Sequence, residues 1–282
     1  MNLPRMAALP ARGVEVWFLL GQDSLQTPWS CLLKRHITTF AVKFSAMEKL
    51  EGIRVIGFDA DDTLWVNETY FREVEDKFAK ILEDYEVNDR VIQELFKVEI
   101  GNLPIYGYGV KGFVLSMIEC ALDLSNHTLP QTAISEIIKL GKAMLEHPIE
   151  LLPNVVDVIS ALKDDYRLIV VTKGDLLDQE RKLQRSEIAH YFHHVEILHD
   201  KQEANYLKLL RQQDIDPKEF LMVGNSLKSD VLPVVGIGAQ AVHIPYHTTW
   251  PHEEVSDQAH EDPAYLTLSS IEDLPGHLLP RS

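Results

Sequence analysis

A short apolar run that ends in a cluster of acidic residues constrains the fold more than any other feature of this 282-residue sequence. Val55–Phe58 is apolar throughout, which is typical of a buried strand, and the segment Asp59–Leu64 that follows contains three aspartates. Open α/β sheets place their active sites at the carboxyl ends of strands. Asp59 and Asp61 lie two apart, so their oxygens can converge where the strand ends. A divalent cation would relieve the repulsion between these carboxylates, and Mg²⁺ prefers oxygen ligands. We therefore favour a metal-dependent site over a solvated acidic turn.

Strand and helix patterns alternate in the second half of the chain, which predicts a parallel sheet with right-handed crossovers. The later strands are expected at residues 166–171, 195–198, 220–223 and 239–244. Residues from about 67 to 150 show helical periodicity and little strand signal. The tail after about Thr248 is rich in proline, histidine and acidic residues, and we expect it to lie along the surface.

The segment Asp59-Ala60-Asp61-Asp62-Thr63-Leu64 resembles the first motif of the haloacid dehalogenase (HAD) superfamily, most of whose members are Mg²⁺-dependent phosphatases. The resemblance covers about residues 52–247 and implies an α/β fold, with a Rossmann-like three-layer core around a parallel sheet and an inserted all-α cap domain. Residues 47–66 and 150–282 would then form the core, and residues 67–149 a type 1 helical cap that closes over the substrate. Residues 1–46 are expected to be an N-terminal extension outside this fold.

The second and third motifs of the superfamily supply phosphate ligands, and both have counterparts here. Thr172 ends a predicted strand and precedes a glycine-containing turn into a helix, an arrangement suited to binding a phosphoryl group. Lys173, the next residue, is a supporting residue of this predicted phosphate-binding motif. The resemblance makes Lys201 the third-motif lysine, which neutralises phosphoryl charge and holds the nucleophile. Lys208 is the runner-up, but its place among helical leucines indicates a solvated helix face. In the predicted cap, Lys111 follows a glycine-rich loop and could reach substrate in a closed state, although a plain helix-linking loop explains that segment equally well.

The fourth motif departs from the usual family pattern. Gly224 is followed by Asn225, where the family usually carries an aspartate, and Asp230 matches the second aspartate. An amide oxygen can still bind Mg²⁺ but brings no charge, so the sequence leaves open whether Asn225 or Asp230 is the direct ligand. The resemblance implies a metal held by Asp59, Asp61 and this motif. It also implies Asp59 as the nucleophile that forms an aspartyl-phosphate, and Asp61 as the general acid and base.

Two other functions stay open at this stage. A haloacid dehalogenase shares the fold and the nucleophile but would need neither Asp61 nor a metal. A non-catalytic module that binds a phosphorylated ligand or a protein is supported by Asn225 alone. The substrate is expected to be a small phosphorylated metabolite such as a sugar phosphate, phosphoglycolate or a nucleotide.

Composition and charge argue against several kinds of partner and site. The net charge of −16 argues against nucleic acid as a partner, because a protein of this charge would repel a polyanion. The apolar run near the N-terminus is too short to span a membrane. The two cysteines, Cys31 and Cys120, suggest no disulfide framework or zinc site, and the twelve histidines lack metal-ligand spacing. We expect a cytoplasmic protein that is a monomer or a homodimer.

Overall fold

The computed structural model of the protein describes residues 50–255 and 264–278. The expected extension, residues 1–46, lies outside the described residues. Within them, six strands form one sheet in the order β3-β2-β1-β4-β5-β6, and every neighbouring pair is parallel. The strands are β1 Val55–Phe58, β2 Arg167–Lys173, β3 His194–Leu198, β4 Phe220–Gly224, β5 Gln240–His243 and β6 Leu266–Thr267. The chain runs from β1 outward to β3, then returns to the other side of β1 for β4. This reversal opens a crevice at the carboxyl ends of the strands.

Helices cover both faces of the sheet, which explains why its central strands are apolar along their whole length. Alternate residues of each strand enter opposite cores, since side chains in a strand alternate between faces. Ile56 and Phe58 of β1 pack in one core with helix α5, Val155–Leu162. Val55 packs in the other core with helix α7, Glu203–Gln212. The three-layer parallel architecture predicted from the sequence is confirmed.

Residues 67–149, which we call the helical segment, contain four helices and no strand. These are α1 Glu68–Ile81, α2 Asn88–Tyr106, α3 Val110–Leu124 and α4 Gln131–Glu146. Their apolar faces meet in a third core that is separate from the two cores of the sheet. Phe78, Leu95, Met117 and Ile137, one from each helix, are almost completely buried there. The helical segment therefore has its own hydrophobic centre.

The chain beyond β5 differs from the sequence expectation. We expected the tail after Thr248 to lie along the surface, yet Leu268, Ile271 and Leu274 are buried in the core that contains α5. Strand β6 extends the sheet, and a short helix, α9, follows at Leu274–His277. Two further helices complete the described chain, α6 at Leu176–Arg185 and α8 at Leu232–Gly236. In residues 50–255 and 264–278, no helix combines the length and apolarity needed to cross a membrane.

Candidate active site

The predicted site residues come from four neighbouring strands and meet at one end of the sheet. Asp59 directly follows β1, Thr172 lies at the end of β2, and Lys201 follows β3. The loop after β4 carries Asn225 and Asp230. All five line one cavity, to which the helical segment and residues 248–253 also contribute. The topology thus brings the four sequence motifs together, as the resemblance implied.

Asp59 lies in a buried cluster with one cation and a second carboxylate. The Lys201 ammonium donates to Asp59 Oδ1 and, at 2.6 Å, to Asp230 Oδ1. Lys201 and Asp230 are 3% and 1% exposed, so water screens this cluster little. Burial and the Asp230 carboxylate raise the pKa of Asp59 above its usual range, although Lys201 acts against them. One ammonium shared by two buried carboxylates leaves the cluster short of positive charge.

The loop after β4 holds Asp230 by a close backbone approach. Residues Leu227–Val231 form a single π-helical turn, in which the Ser226 hydroxyl accepts from the Ser229 N–H. The Ser226 N–H donates to Asp230 Oδ2 at 3.0 Å. A Cβ on Gly224 would lie only 2.3 Å from that same oxygen. Glycine at this position therefore makes room for the Asp230 carboxylate beside the end of β4.

Asp61 is surrounded by hydrogen-bond donors. Its Oδ1 accepts from the Trp65 indole at 2.7 Å and from the Lys182 ammonium at 2.9 Å, and its Oδ2 accepts from Gln179 at 2.8 Å. Burial alone would raise the pKa of Asp61, but these donors outweigh burial and hold it below its usual value. The sequence did not single out Lys182 or Gln179, because both contacts depend on how α6 packs beside β1.

Asp62, the third aspartate of the acidic segment, has a structural role. Its backbone has a φ of +62°, and its carboxylate accepts from the backbone N–H groups of Asn67 and Glu68 at the start of α1. These are N–H groups that a helix leaves without intrahelical partners. Asp62 therefore fixes the start of the helical segment relative to β1, a role that the sequence analysis did not assign to it.

Thr172 and Asn225 flank the cluster. Thr172 is 2% exposed, and within residues 50–255 and 264–278 its hydroxyl has only a long contact, 3.5 Å, to the Lys173 carbonyl oxygen. The Asn225 amide oxygen accepts from the Thr63 hydroxyl at 3.4 Å, and the same hydroxyl is 3.3 Å from Asp59 Oδ2. The Thr63 hydroxyl is thus within reach of both the Asn225 amide oxygen and Asp59 Oδ2.

Lys173 takes part in a network that includes the segment after β5. Its ammonium donates to Glu253 Oε1 at 2.5 Å and to the Ser229 hydroxyl at 2.9 Å. It also lies 4.5 Å from the centre of the Tyr108 ring, a cation–π contact with the helical segment. We did not anticipate Glu253, since no motif marks it and residues far apart in the chain surround it.

The helical segment lines the cavity with aromatic and acidic side chains. Phe71, Phe113 and Tyr108 supply apolar surface, and Glu68, Glu75 and Glu99 supply carboxyl groups. Among the cavity-lining residues of this segment there is no Lys, Arg or His. Arg72, which does not line the cavity, bridges Glu68 and Glu75. In the described part of the chain no cation pairs with Glu99. Burial, and to a lesser extent the charges of the neighbouring Glu75 and Glu68, raise the pKa of Glu99 to about 8.

Lys111 is the one predicted site residue that does not line the cavity. Its ammonium contacts both carboxylate oxygens of Asp175, at 2.8 and 2.9 Å. Asp175 caps the start of α6 by accepting from the Asp178 N–H. Lys111 therefore connects the helical segment to the turn after β2, and its role in binding substrate stays a prediction.

The donor groups at this end of the sheet fit a hard divalent cation. They include the carboxylates of Asp59 and Asp230 and the amide oxygen of Asn225, and the shortage of positive charge around Asp59 favours a further cation. Across the described residues, no group of three or more His, Cys, Asp and Glu side chains is arranged to hold a metal ion by itself. A metal here would therefore need ligands such as the Asn225 amide and the Asp61 carbonyl.

Comparison with known proteins agrees with this geometry. The family model described as haloacid dehalogenase-like hydrolase matches residues 53–235. Glyceraldehyde 3-phosphate phosphatase of Pyrococcus abyssi (strain GE5 / Orsay) is 28% identical over 208 residues, which are 69% of this chain and 82% of the relative. The Pyrococcus furiosus protein of the same name is 25% identical over 209 residues, 70% of this chain and 82% of the relative. A haloacid dehalogenase-like hydrolase of Xanthomonas campestris superposes with a TM-score of 0.72 at 34% identity, covering 82% of this chain and 94% of that one. The chain belongs to the haloacid dehalogenase-like hydrolase family.

Proposed function

We propose that this protein is a Mg²⁺-dependent phosphomonoester hydrolase that acts on a small phosphorylated metabolite through an aspartyl-phosphate intermediate. The buried cluster of Asp59, Lys201 and Asp230 carries the proposal, because it places in the cavity wall an Asp59 carboxylate whose Oδ2 has only a long contact, 3.3 Å, to the Thr63 hydroxyl within the described residues. The phosphatase names of the two archaeal relatives support it.

In the first step, Asp59 attacks phosphorus and the bond from phosphorus to the leaving oxygen breaks. Thr172 and Lys201 bind the phosphoryl oxygens, since the hydroxyl and the ammonium both face the cavity from neighbouring strand ends. The negative charge of the bound phosphoryl group favours the protonated form of Asp61, which gives its proton to the leaving oxygen. In the second step Asp61 takes a proton from water, which attacks the aspartyl-phosphate and releases inorganic phosphate and free Asp59.

Asp59, the Asp61 carbonyl and the loop after β4 would hold Mg²⁺, which offsets the repulsion between the Asp59 carboxylate and the phosphoryl group. Within that loop, both carboxylate oxygens of Asp230 already accept hydrogen bonds, from Lys201 and Ser226. The Asn225 amide oxygen has one long contact, to Thr63. We therefore infer that Asn225 is the direct ligand and that Asp230 positions Lys201.

We further propose that the helical segment is the cap and that it selects the leaving alcohol. Its cavity wall carries Glu68, Glu75 and Glu99 and offers no cation to a second acidic group on the substrate. Desolvating such a group against these carboxyls would be costly. The favoured substrate is thus a monoester whose alcohol portion is not anionic. Glyceraldehyde 3-phosphate, for which the relatives are named, meets that condition, whereas phosphoglycolate does not.

The test is phosphate release from a panel that pairs these two esters. We expect Mg²⁺-dependent turnover, with a higher kcat/KM for glyceraldehyde 3-phosphate than for phosphoglycolate. At a pH above about 8, where Glu99 is ionised, the cap variant Glu99→Gln should narrow that difference, because it removes one negative charge from the wall that faces the alcohol. Equal kcat/KM for the two esters in the wild type would contradict the selection by the cap. Metal-independent halide release from a 2-haloacid would favour the dehalogenase instead.

A further inference from the structure

We propose that Glu253, which no motif of the family marks, is a positioning residue that ties the end of β2 to the loop after β4. It would thereby set the affinity of the site for Mg²⁺ and the rate of turnover. The part concerning turnover rests on the proposed function, whereas the part concerning Mg²⁺ binding can be tested without it.

The geometry of the Glu253 carboxylate points to this role. One oxygen accepts from Lys173 at 2.5 Å, and the other accepts from the hydroxyls of Ser226 and Ser229 at 2.5 and 2.6 Å. The side chain of Glu253 is 11% exposed and that of Lys173 is 18% exposed. Charge-assisted hydrogen bonds in such a dry location are among the stronger polar contacts in a protein.

Each partner of Glu253 lies beside a predicted site residue. Lys173 directly follows Thr172, the expected phosphate ligand. Ser226 follows Asn225, and its N–H donates to Asp230. One carboxylate therefore holds both the end of β2 and the loop after β4, and its loss would let the metal ligands of that loop move relative to the phosphate ligand Thr172.

The same segment also contacts the helical segment. Trp250 packs edge-on against Phe96 and Tyr108, with ring centres 6.5 and 6.1 Å apart. Tyr108 in turn covers the Lys173 ammonium. These contacts explain why a stretch outside the family motifs is ordered against the cavity, with Glu253 directed toward the two loops.

The experiment compares Glu253→Gln with Glu254→Gln, a neighbouring exposed position that serves as the matched control. The glutamine keeps the shape and can still accept from the serines, but it leaves Lys173 without its counter-charge. Calorimetric titration with Mg²⁺ alone should give a Kd about 10–100-fold weaker for Glu253→Gln, and kcat should fall by a similar factor, because losing a residue that orients ligands typically costs this much. Glu254→Gln should match the wild type in both measurements.

A double-mutant cycle with Ser229→Ala separates positioning from general loss of structure. We expect the two changes to be non-additive in Mg²⁺ affinity, since both act on one hydrogen-bonded unit. Unchanged Mg²⁺ affinity in a folded Glu253→Gln sample, or full additivity, would overturn the inference. If the wild type binds Mg²⁺ but releases no phosphate, the proposed function is refuted. The Mg²⁺ titrations of wild type and Glu253→Gln would then still decide the role of Glu253. A wild type that binds no Mg²⁺ would overturn the inference together with the metal requirement.

Discussion

The close approach between Gly224 and Asp230 makes Gly224→Ala a sharp test of the site geometry. A Cβ at position 224 would lie 2.3, 2.4 and 2.5 Å from the Oδ2, Cγ and Cβ atoms of Asp230, whereas ordinary contacts begin near 3.4 Å. The carboxylate must therefore move by about 1 Å. It cannot do so while keeping both its bond to Lys201 and its bond to Ser226.

We expect two effects from this displacement. A misplacement of about 1 Å near reacting groups can cost about 10²-fold in rate, so kcat/KM should fall by about that factor. Overpacking typically destabilises a core by about 1–3 kcal/mol, which should lower the Tm measurably. The assay is phosphate release together with thermal unfolding, on samples shown to be folded at the assay temperature.

Gly101→Ala is the matched control. Nothing lies within 4 Å of a Cβ built at Gly101, and this glycine is in the interior of α2, where alanine is the better helix former. Gly101→Ala should therefore keep the wild-type kcat/KM and at least the wild-type Tm. A Gly224→Ala protein with wild-type kcat/KM would refute the view that Asp230 and Lys201 must hold this geometry.

Three further predictions follow from other contacts. Asp61→Asn should lower kcat by about 10²–10⁴-fold while leaving the protein folded, because it removes general acid and base catalysis; an unchanged kcat would contradict that role. Lys111→Gln should raise KM and change the free energy of unfolding by no more than about 1 kcal/mol, since the pair with Asp175 is partly exposed and screened. The KM difference from wild type should shrink at high salt, and a difference that persists there would argue against an ionic contact. Burial raises the pKa of Glu253, but the Lys173 ammonium and the hydroxyls of Ser226 and Ser229 outweigh burial. Together they lower this pKa from 4.5 to about 2. The ionised Glu253 carboxylate therefore contributes fully to the stability of the folded protein above the unfolded-state pKa, and this contribution is lost as the pH falls toward 2. The Tm difference between wild type and Glu253→Gln should accordingly be largest near neutral pH and shrink below about pH 4.5, and a difference that grows on acidification would contradict this sign.

Much of the fold could be predicted because its signals are local. Apolar strands such as Val55–Phe58 and the helical period of residues 67–149 appear directly in the sequence, and the three-layer sheet and family membership are confirmed. The helix bounds are harder to predict: α2 continues through Pro104 to Tyr106, although proline disfavours a helix interior.

The missed features depend on contacts between distant parts of the chain. Strand β6 has only two residues, too few to show a period, and becomes a strand only by pairing with β5. The role of Asp62 requires that the turn after Asp59 bring it to the first turn of α1. Glu253 has its role because two loops separated from it in sequence converge on its carboxylate. The catalytic and metal-binding roles, the division of the chain into extension, core and cap, the cytoplasmic location and the oligomeric state stay predictions.

The most direct test of the central claim is phosphate release from glyceraldehyde 3-phosphate by the wild type and by Asp59→Asn, each with Mg²⁺ and with a chelator. The matched variant keeps the shape of the side chain and its place beside Lys201 but cannot form an acyl-phosphate. We predict turnover only for the wild type with Mg²⁺, and a phosphorylated protein in acid-quenched wild-type samples alone. Turnover by folded Asp59→Asn, or turnover by the wild type that the chelator leaves unchanged, would contradict the account.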